Sequence, residues 1–135
     1  MEYPNLKQLQ EVNPYAWMME NKFLNENGDP MEFHNFRFLE EPFADLSPRQ
    51  AGMKASQIGW STMAVFKDLW LARYMGANVI HVLPTKAISK DFVMPKVDKI
   101  IAHNPVIKEM VGETDSINLK SVGDRFIYYR GSFDE

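Results

Sequence analysis

The stretch from Met53 to Met63, Met-Lys-Ala-Ser-Gln-Ile-Gly-Trp-Ser-Thr-Met, constrains this chain more than any other. It separates a short apolar run from a long amphipathic one beginning at Trp60, the strand, turn, helix context of a phosphate-binding loop. There the N–H groups at the helix start and the positive end of its dipole favour an anion. The usual loop reads G-x-x-x-x-G-K-[ST]. Here Lys54 takes the first glycine position, Gly59 keeps the second, Trp60 replaces the lysine and Ser61 keeps the hydroxyl. A triphosphate needs one flexible ammonium near its β- and γ-phosphates, and a lysine at the front of the loop can reach them as well as one at its end. The plainer alternative makes Gly59 a turn glycine and Lys54 a solvated residue at a strand end.

The chain has 135 residues, 45% hydrophobic and 24% charged, which is one domain's worth of a globular protein with a real core. Without cysteine there is no disulfide framework, thiolate metal site or thiol redox chemistry, a composition that fits a reducing cytoplasm. A formal charge of −3 argues against a whole-surface grip on nucleic acid and confines any such contact to a local face. The start, Met-Glu-Tyr-Pro-Asn, lacks the pattern of a signal peptide, and pairs such as Lys67-Asp68 break the apolar runs, so no membrane span is expected and the location is read as cytoplasmic.

In chain order, Asn13 and Pro14 predict a helix start, with Tyr15, Met18 and Met19 on one side, and Asn27-Gly28-Asp29-Pro30 predicts a turn. The aromatic-rich segment that follows places Phe36, Leu39 and Phe43 at helical spacing. Most of it reads as core, although an aromatic here can also stack on an adenine whose edge Arg37 or Gln50 would read. His34, His81 and His103 share no metal-binding spacing. Gln50 to Ala55 reads as a buried central strand, and Trp60 to Tyr74 as the clearest helix, with Met63, Phe66, Leu69, Trp70 and Tyr74 inward and Gly76 as its stop. Ala77 to Thr85 reads as a second strand, parallel to the first, so its Pro84-Thr85 end and the Lys54 loop should share one crevice. Pro95 must kink the next helix or open another. Lys86, Lys90, Lys96 and Lys99 read as a solvated face rather than a DNA strip. Asn104-Pro105 reads as a cap for a further short helix, and the segments flanking Gly123-Asp124 as a hairpin or adjacent strands.

The chain resembles, over about residues 33 to 132, the ATPase domain of the large terminase subunit of tailed phages in its GpA-like branch, the motor that packages DNA. The resemblance rests on Phe38-Leu39, Ala44-Asp45-Leu46-Ser47-Pro48, the altered Walker A loop Met53-Lys-Ala-Ser-Gln-Ile-Gly-Trp-Ser-Thr, Val82-Leu83-Pro84-Thr85 and Arg130-Gly131-Ser132. It implies an α/β fold of the P-loop NTPase (RecA/ASCE-like) type: a partial parallel sheet flanked by helices in residues 49–135, preceded by a helical, aromatic-rich segment in residues 1–48. It implies ATP and Mg²⁺ as cofactors. Lys54 would sit on the triphosphate as the catalytic cation, Ser56, Gln57, Ile58, Gly59 and Trp60 would line the nucleotide, and Ser61 or Thr62 would hold Mg²⁺ through it. Double-stranded DNA, a small terminase subunit, the portal and further copies of the chain are the partners so implied, in the cytoplasm of a host cell, and no membrane is among them.

A Walker B motif needs an apolar strand running straight into an aspartate and then a glutamate. Gly131-Ser132 separates Asp134-Glu135 from the apolar Phe126 to Tyr129, so the acids read as coincidental and the core as truncated before Walker B, unable to hydrolyse ATP. Two competing readings are a fragment of a helicase-like ATPase, against which Trp60 counts, and a non-catalytic α/β interaction module.

Overall fold

The computed structural model describes residues 6–31, 37–53, 59–112 and 117–133. The order is helix α1 (Leu6–Leu9), α2 (Pro14–Asn21), a 3₁₀ turn (Arg37–Leu39), α3 (Glu40–Ala44), α4 (Trp60–Tyr74), strand β1 (Val79–Thr85), α5 (Lys86–Phe92), a π-helical segment (Val93–Val97), α6 (Asp98–His103), α7 (Pro105–Met110), β2 (Leu119–Val122) and β3 (Arg125–Phe133). The fold is α/β, a small mixed sheet flanked by helices. Among the described residues no helix is long and apolar enough to cross a membrane.

Local chemistry explains most of these boundaries. Asn13 caps α2, its side-chain oxygen accepting from the amides of Tyr15 and Ala16, and Pro14 takes the first position, where no N–H is needed. Lys22 adopts a left-handed conformation at φ 50° and ends it. α4 carries the inward face read from its periodicity: Met63, Phe66, Leu69 and Trp70 are all buried. They join Trp17 and Phe23 from the amino-terminal segment, Leu39 and Phe43 from the aromatic stretch, and Ile127 and Tyr129 from β3 in one core. The two segments divided at residue 48 thus pack as parts of a single core. Phe23 stacks on Phe66 at 5.5 Å and meets Trp17 edge-on at 4.6 Å.

The sheet differs from the expected one. Gln50 to Met53 belong to no strand and are exposed; the Gln50 amide instead donates to the carbonyls of Asp45 and Ser47, closing a turn. The rest of that expected strand, Lys54 and Ala55, lies outside the described residues. β1 finds its parallel partner in β3, from Val79 opposite Ile127 to Thr85 opposite Phe133, and β2 joins the other edge of β3 antiparallel. The order is β1-β3-β2. The hairpin at Gly123-Asp124 is present, with Gly123 at φ 62°. β3 also runs unbroken through Gly131-Ser132, where the sequence reading placed a break. Its glycine is required there by close passage of the β1 to α5 turn, since a Cβ on Gly131 would collide with the backbone of Thr85 and Lys86.

Alternation along the strands divides the sheet into two faces. His81, Ile127 and Tyr129 turn toward α4, whereas Ile80, Val82, Phe126 and Tyr128 are exposed on the other. Pro95 opens no new helix of its own. The wide π-helical turn that holds it runs from α5 directly into α6, and a missing N–H is one way such a turn arises.

Candidate functional site

α4 opens at Gly59, whose φ of 82° places it in the left-handed region that favours glycine. No side chain caps the helix. The first intrahelical bond is the Met63 amide to the Gly59 carbonyl, so the amides of Trp60, Ser61 and Thr62 at the first turn have no intrahelical acceptor. Such a turn offers donors and the positive dipole end to an anion. Lys54, Ser56, Gln57 and Ile58 lie outside the described residues, and the geometry below is that of Gly59, Trp60, Ser61 and Thr62.

The three side chains of this turn diverge. Ser61 is exposed and its hydroxyl makes no hydrogen bond among the described residues, leaving it available as one oxygen ligand. Mg²⁺ is commonly held this way, by one or two protein oxygens completed by phosphate and water, so Ser61 fits the role. Trp60 is half-buried and leans on Gly52, where an added Cβ would lie 2.8 Å from the ring's Cη2. Thr62 is buried, and its hydroxyl donates to the Glu26 carboxylate at 3.0 and 3.2 Å while Lys96 Nζ lies 3.2 Å away. Of the two hydroxyls read as Mg²⁺ holders, Ser61 is therefore open and Thr62 is committed.

The sequence singles out no role for Glu26 and places Lys96 on a solvated face. Lys96 Nζ is 3.3 Å from Glu26 Oε1, so it is the exception to the solvated face, whereas Lys86, Lys90 and Lys99 are exposed. Burial raises the Glu26 carboxyl pKa, but its own backbone amide, the Lys96 charge and the Thr62 hydroxyl outweigh that and hold it below its ordinary value. A carboxylate in the Asn25 to Asp29 turn, 36 residues from Thr62 in sequence, carried no local pattern by which to find it.

Beside Trp60 lies a cavity of about 770 Å³ lined by Phe38, Glu41, Asp45, Arg49, Gln50 and Trp60 among others. Gln50, one of the two candidates for reading a base edge, lines it with its amide nitrogen fixed by Asp45 and Ser47. The Arg37 side chain lies outside the described residues. Asp45 is held below its ordinary pKa chiefly by the Ser47 hydroxyl, and Lys67 donates to the carbonyls of Pro42 and Asp45, fastening the end of α3 to α4.

Behind the turn, His81 Nδ1 lies 2.6 Å from Asp68 Oδ2, joining β1 to α4. Burial raises the Asp68 pKa against the opposing effect of His81. Burial, then the Asp68 charge, push the Tyr129 phenol well above 10.0. This cluster is covered by Phe92 and lies beneath the sheet. At the end of β1, Thr85 accepts the Ile88 amide at 3.1 Å and caps α5, so its hydroxyl is also committed. Among the described residues no group of three His, Cys, Asp or Glu could hold a metal on its own. No known protein family, curated protein or solved structure matches the chain.

Proposed function

We propose that this chain is the ATP-binding portion of a viral DNA-packaging motor of the large terminase type, a P-loop NTPase core. The observation that carries the reading is the succession after the loop. An uncapped helix opens at a left-handed glycine and leads into β1, and β1 lies parallel to a β3 that continues without a break to the residue before Asp134-Glu135. Order and direction are those a Walker A helix and a Walker B strand need.

On this reading the amides of Trp60 to Thr62 receive phosphate oxygens, Lys54 brings the ammonium that opposes charge spreading over the γ-phosphate, and Ser61 donates an oxygen to the metal. Mg²⁺ bound with ATP would neutralise charge on the β- and γ-oxygens. The cavity beside Trp60 would take the adenine, with Gln50 oriented toward it. β3 runs through Gly131-Ser132 without a break, so Asp134 is proposed to anchor the metal and Glu135 to orient water. Double-stranded DNA, a small terminase subunit and the portal are the partners of the same reading.

Titration with a fluorescent ATP analogue, with and without Mg²⁺, and a steady-state phosphate-release assay test it. Binding should require Lys54, so that Lys54→Ala weakens it at least about tenfold, while Lys99→Ala, on the exposed side of α6, leaves it unchanged. Phosphate release abolished by Glu135→Gln would support the acid pair. Binding indifferent to Lys54 would overturn the function.

A further inference from the structure

Glu26 makes an unusual pair of contacts for a turn residue. Its carboxylate accepts from the Thr62 hydroxyl at 3.0 and 3.2 Å and from the Lys96 ammonium at 3.3 Å. The three residues come from the Asn25 to Asp29 turn, the first turn of α4 and the π-helical segment, far apart in sequence. That turn is itself held firmly: the Asn25 amide donates to the Asp29 carbonyl at 2.8 Å, and the Asn25 side chain accepts from the amides of Asn27 and Asp29. The buried Asn104 fixes the preceding Leu24 through both its amide and its carbonyl. An anion supplied by the chain itself is thus clamped at the start of α4, one residue from the open Ser61. The only lysine drawn to this turn among the described residues is consumed in holding it.

We propose that Glu26 is a built-in competitor for the anion received by the first turn of α4, and that Lys96 is the ammonium the two share. The inference rests on the nucleotide reading above and concerns the regulation of that same site. A di- or triphosphate brings more negative charge than a carboxylate, so it draws Lys96 from Glu26 and frees the Thr62 hydroxyl. The resting ion pair then sets a threshold on nucleotide affinity. It also links arrival of the ligand to the turn that joins the amino-terminal helices to the core. Glu26 and Lys96 are positioning residues, and a purely structural role would make their losses act alike. A competitor and a shared cation must act in opposite directions.

Isothermal titration of the full chain with Mg²⁺-ADP, and separately with pyrophosphate, decides between these. Glu26→Gln should tighten binding about five- to tenfold, the usual scale of a coupling between two sites. Lys96→Met should weaken it by a similar factor, and Lys96→Arg should restore it. Glu26→Ala is the second variant, and urea midpoints show that each variant is folded. Glu26→Gln and Lys96→Met shifting affinity in the same direction, or neither shifting it, overturns the inference while the loop reading survives, provided Lys54→Ala still weakens binding. Binding absent throughout, or indifferent to Lys54→Ala, overturns the nucleotide reading and this inference together.

Discussion

Gly131 in β3 runs so close to the amide nitrogen of Lys86 that no side-chain carbon fits between them. The contact lies where β1 ends and α5 turns back over the sheet, and it sets the distance between the parallel strands and the helix above. Gly131→Ala must push the Thr85-Lys86 peptide away against backbone rather than a flexible side chain. Its expected cost is about 3 kcal/mol or more, at the upper end for overpacking. Gly123→Ala, at φ 62° with open space around it, should cost only about 1 to 2 kcal/mol from backbone strain. Urea denaturation of both variants checks the contrast, and equal midpoints would show that the crossing is slack.

Asn104 carries more than the helix cap its position suggests. Its side chain makes no cap bond to α7. Instead it accepts from the Leu24 amide at 2.7 Å and donates to the carbonyls of Leu24 and Ile100 at 2.8 Å each. Asn104→Ala removes the partners of the part-buried Leu24 amide and carbonyl and of the buried Ile100 carbonyl, so a loss of about 2 to 3 kcal/mol is expected. Hydrogen exchange at Leu24 should rise with it. A wild-type exchange rate there would mean that water replaces the side chain at no cost.

Glu26 gives a dependence on pH whose sign follows from its depressed pKa. In the unfolded chain the group titrates near 4.5 and in the folded protein lower, so the unfolded state takes up the proton first as pH falls. The stability it contributes is present above 4.5 and is lost as pH drops through the folded value. Lys96 is the titratable partner facing it. The stability gap between wild type and Glu26→Gln should therefore be constant from neutrality down to about pH 5 and close below 4.5. Denaturation at a series of pH values reads this directly, and a gap that widens on acidification would reverse the assignment.

Much of the helical frame was legible because its signals are local. Asn13-Pro14 marked a start, and the spacing of Met63, Phe66, Leu69 and Trp70 marked a buried face. The hairpin followed from a glycine between two apolar runs. The failures involve partners distant in sequence. Nothing near Gln50 announces that its amide closes a turn on Asp45 and Ser47, so an apolar stretch read as a strand. Gly131-Ser132 looked like a breaker because the reason for the glycine is a helix start crossing from β1. In the candidate site, Gly59, Trp60 and Ser61 carry a local loop pattern, whereas Glu26 and Lys96 meet only after folding. Lys67 shows the same limit: it would pass for a neutral surface control, yet it donates to two carbonyls of the α3 end, so Lys99 serves better.

Trp60 stands where the usual loop has its lysine. The ring is half-buried against Gly52, and Gly59 beside it faces Leu39, so the indole helps fix the helix start and leaves the phosphates to the backbone amides. Replacing it with lysine adds an ammonium but gives up apolar burial of about 1.5 to 3 kcal/mol at most, scaled down by the exposed part of the ring. Trp60→Lys is therefore expected to fail to rescue nucleotide binding in Lys54→Ala. Since Trp17 and Trp70 are fully buried, Trp60 should also dominate any change in tryptophan fluorescence on adding Mg²⁺-ADP, and Trp60→Phe should remove that change while retaining binding by titration. Recovery of affinity in the Lys54→Ala, Trp60→Lys double variant would mean that the two lysine positions are interchangeable and that the ring has no special part in holding the turn.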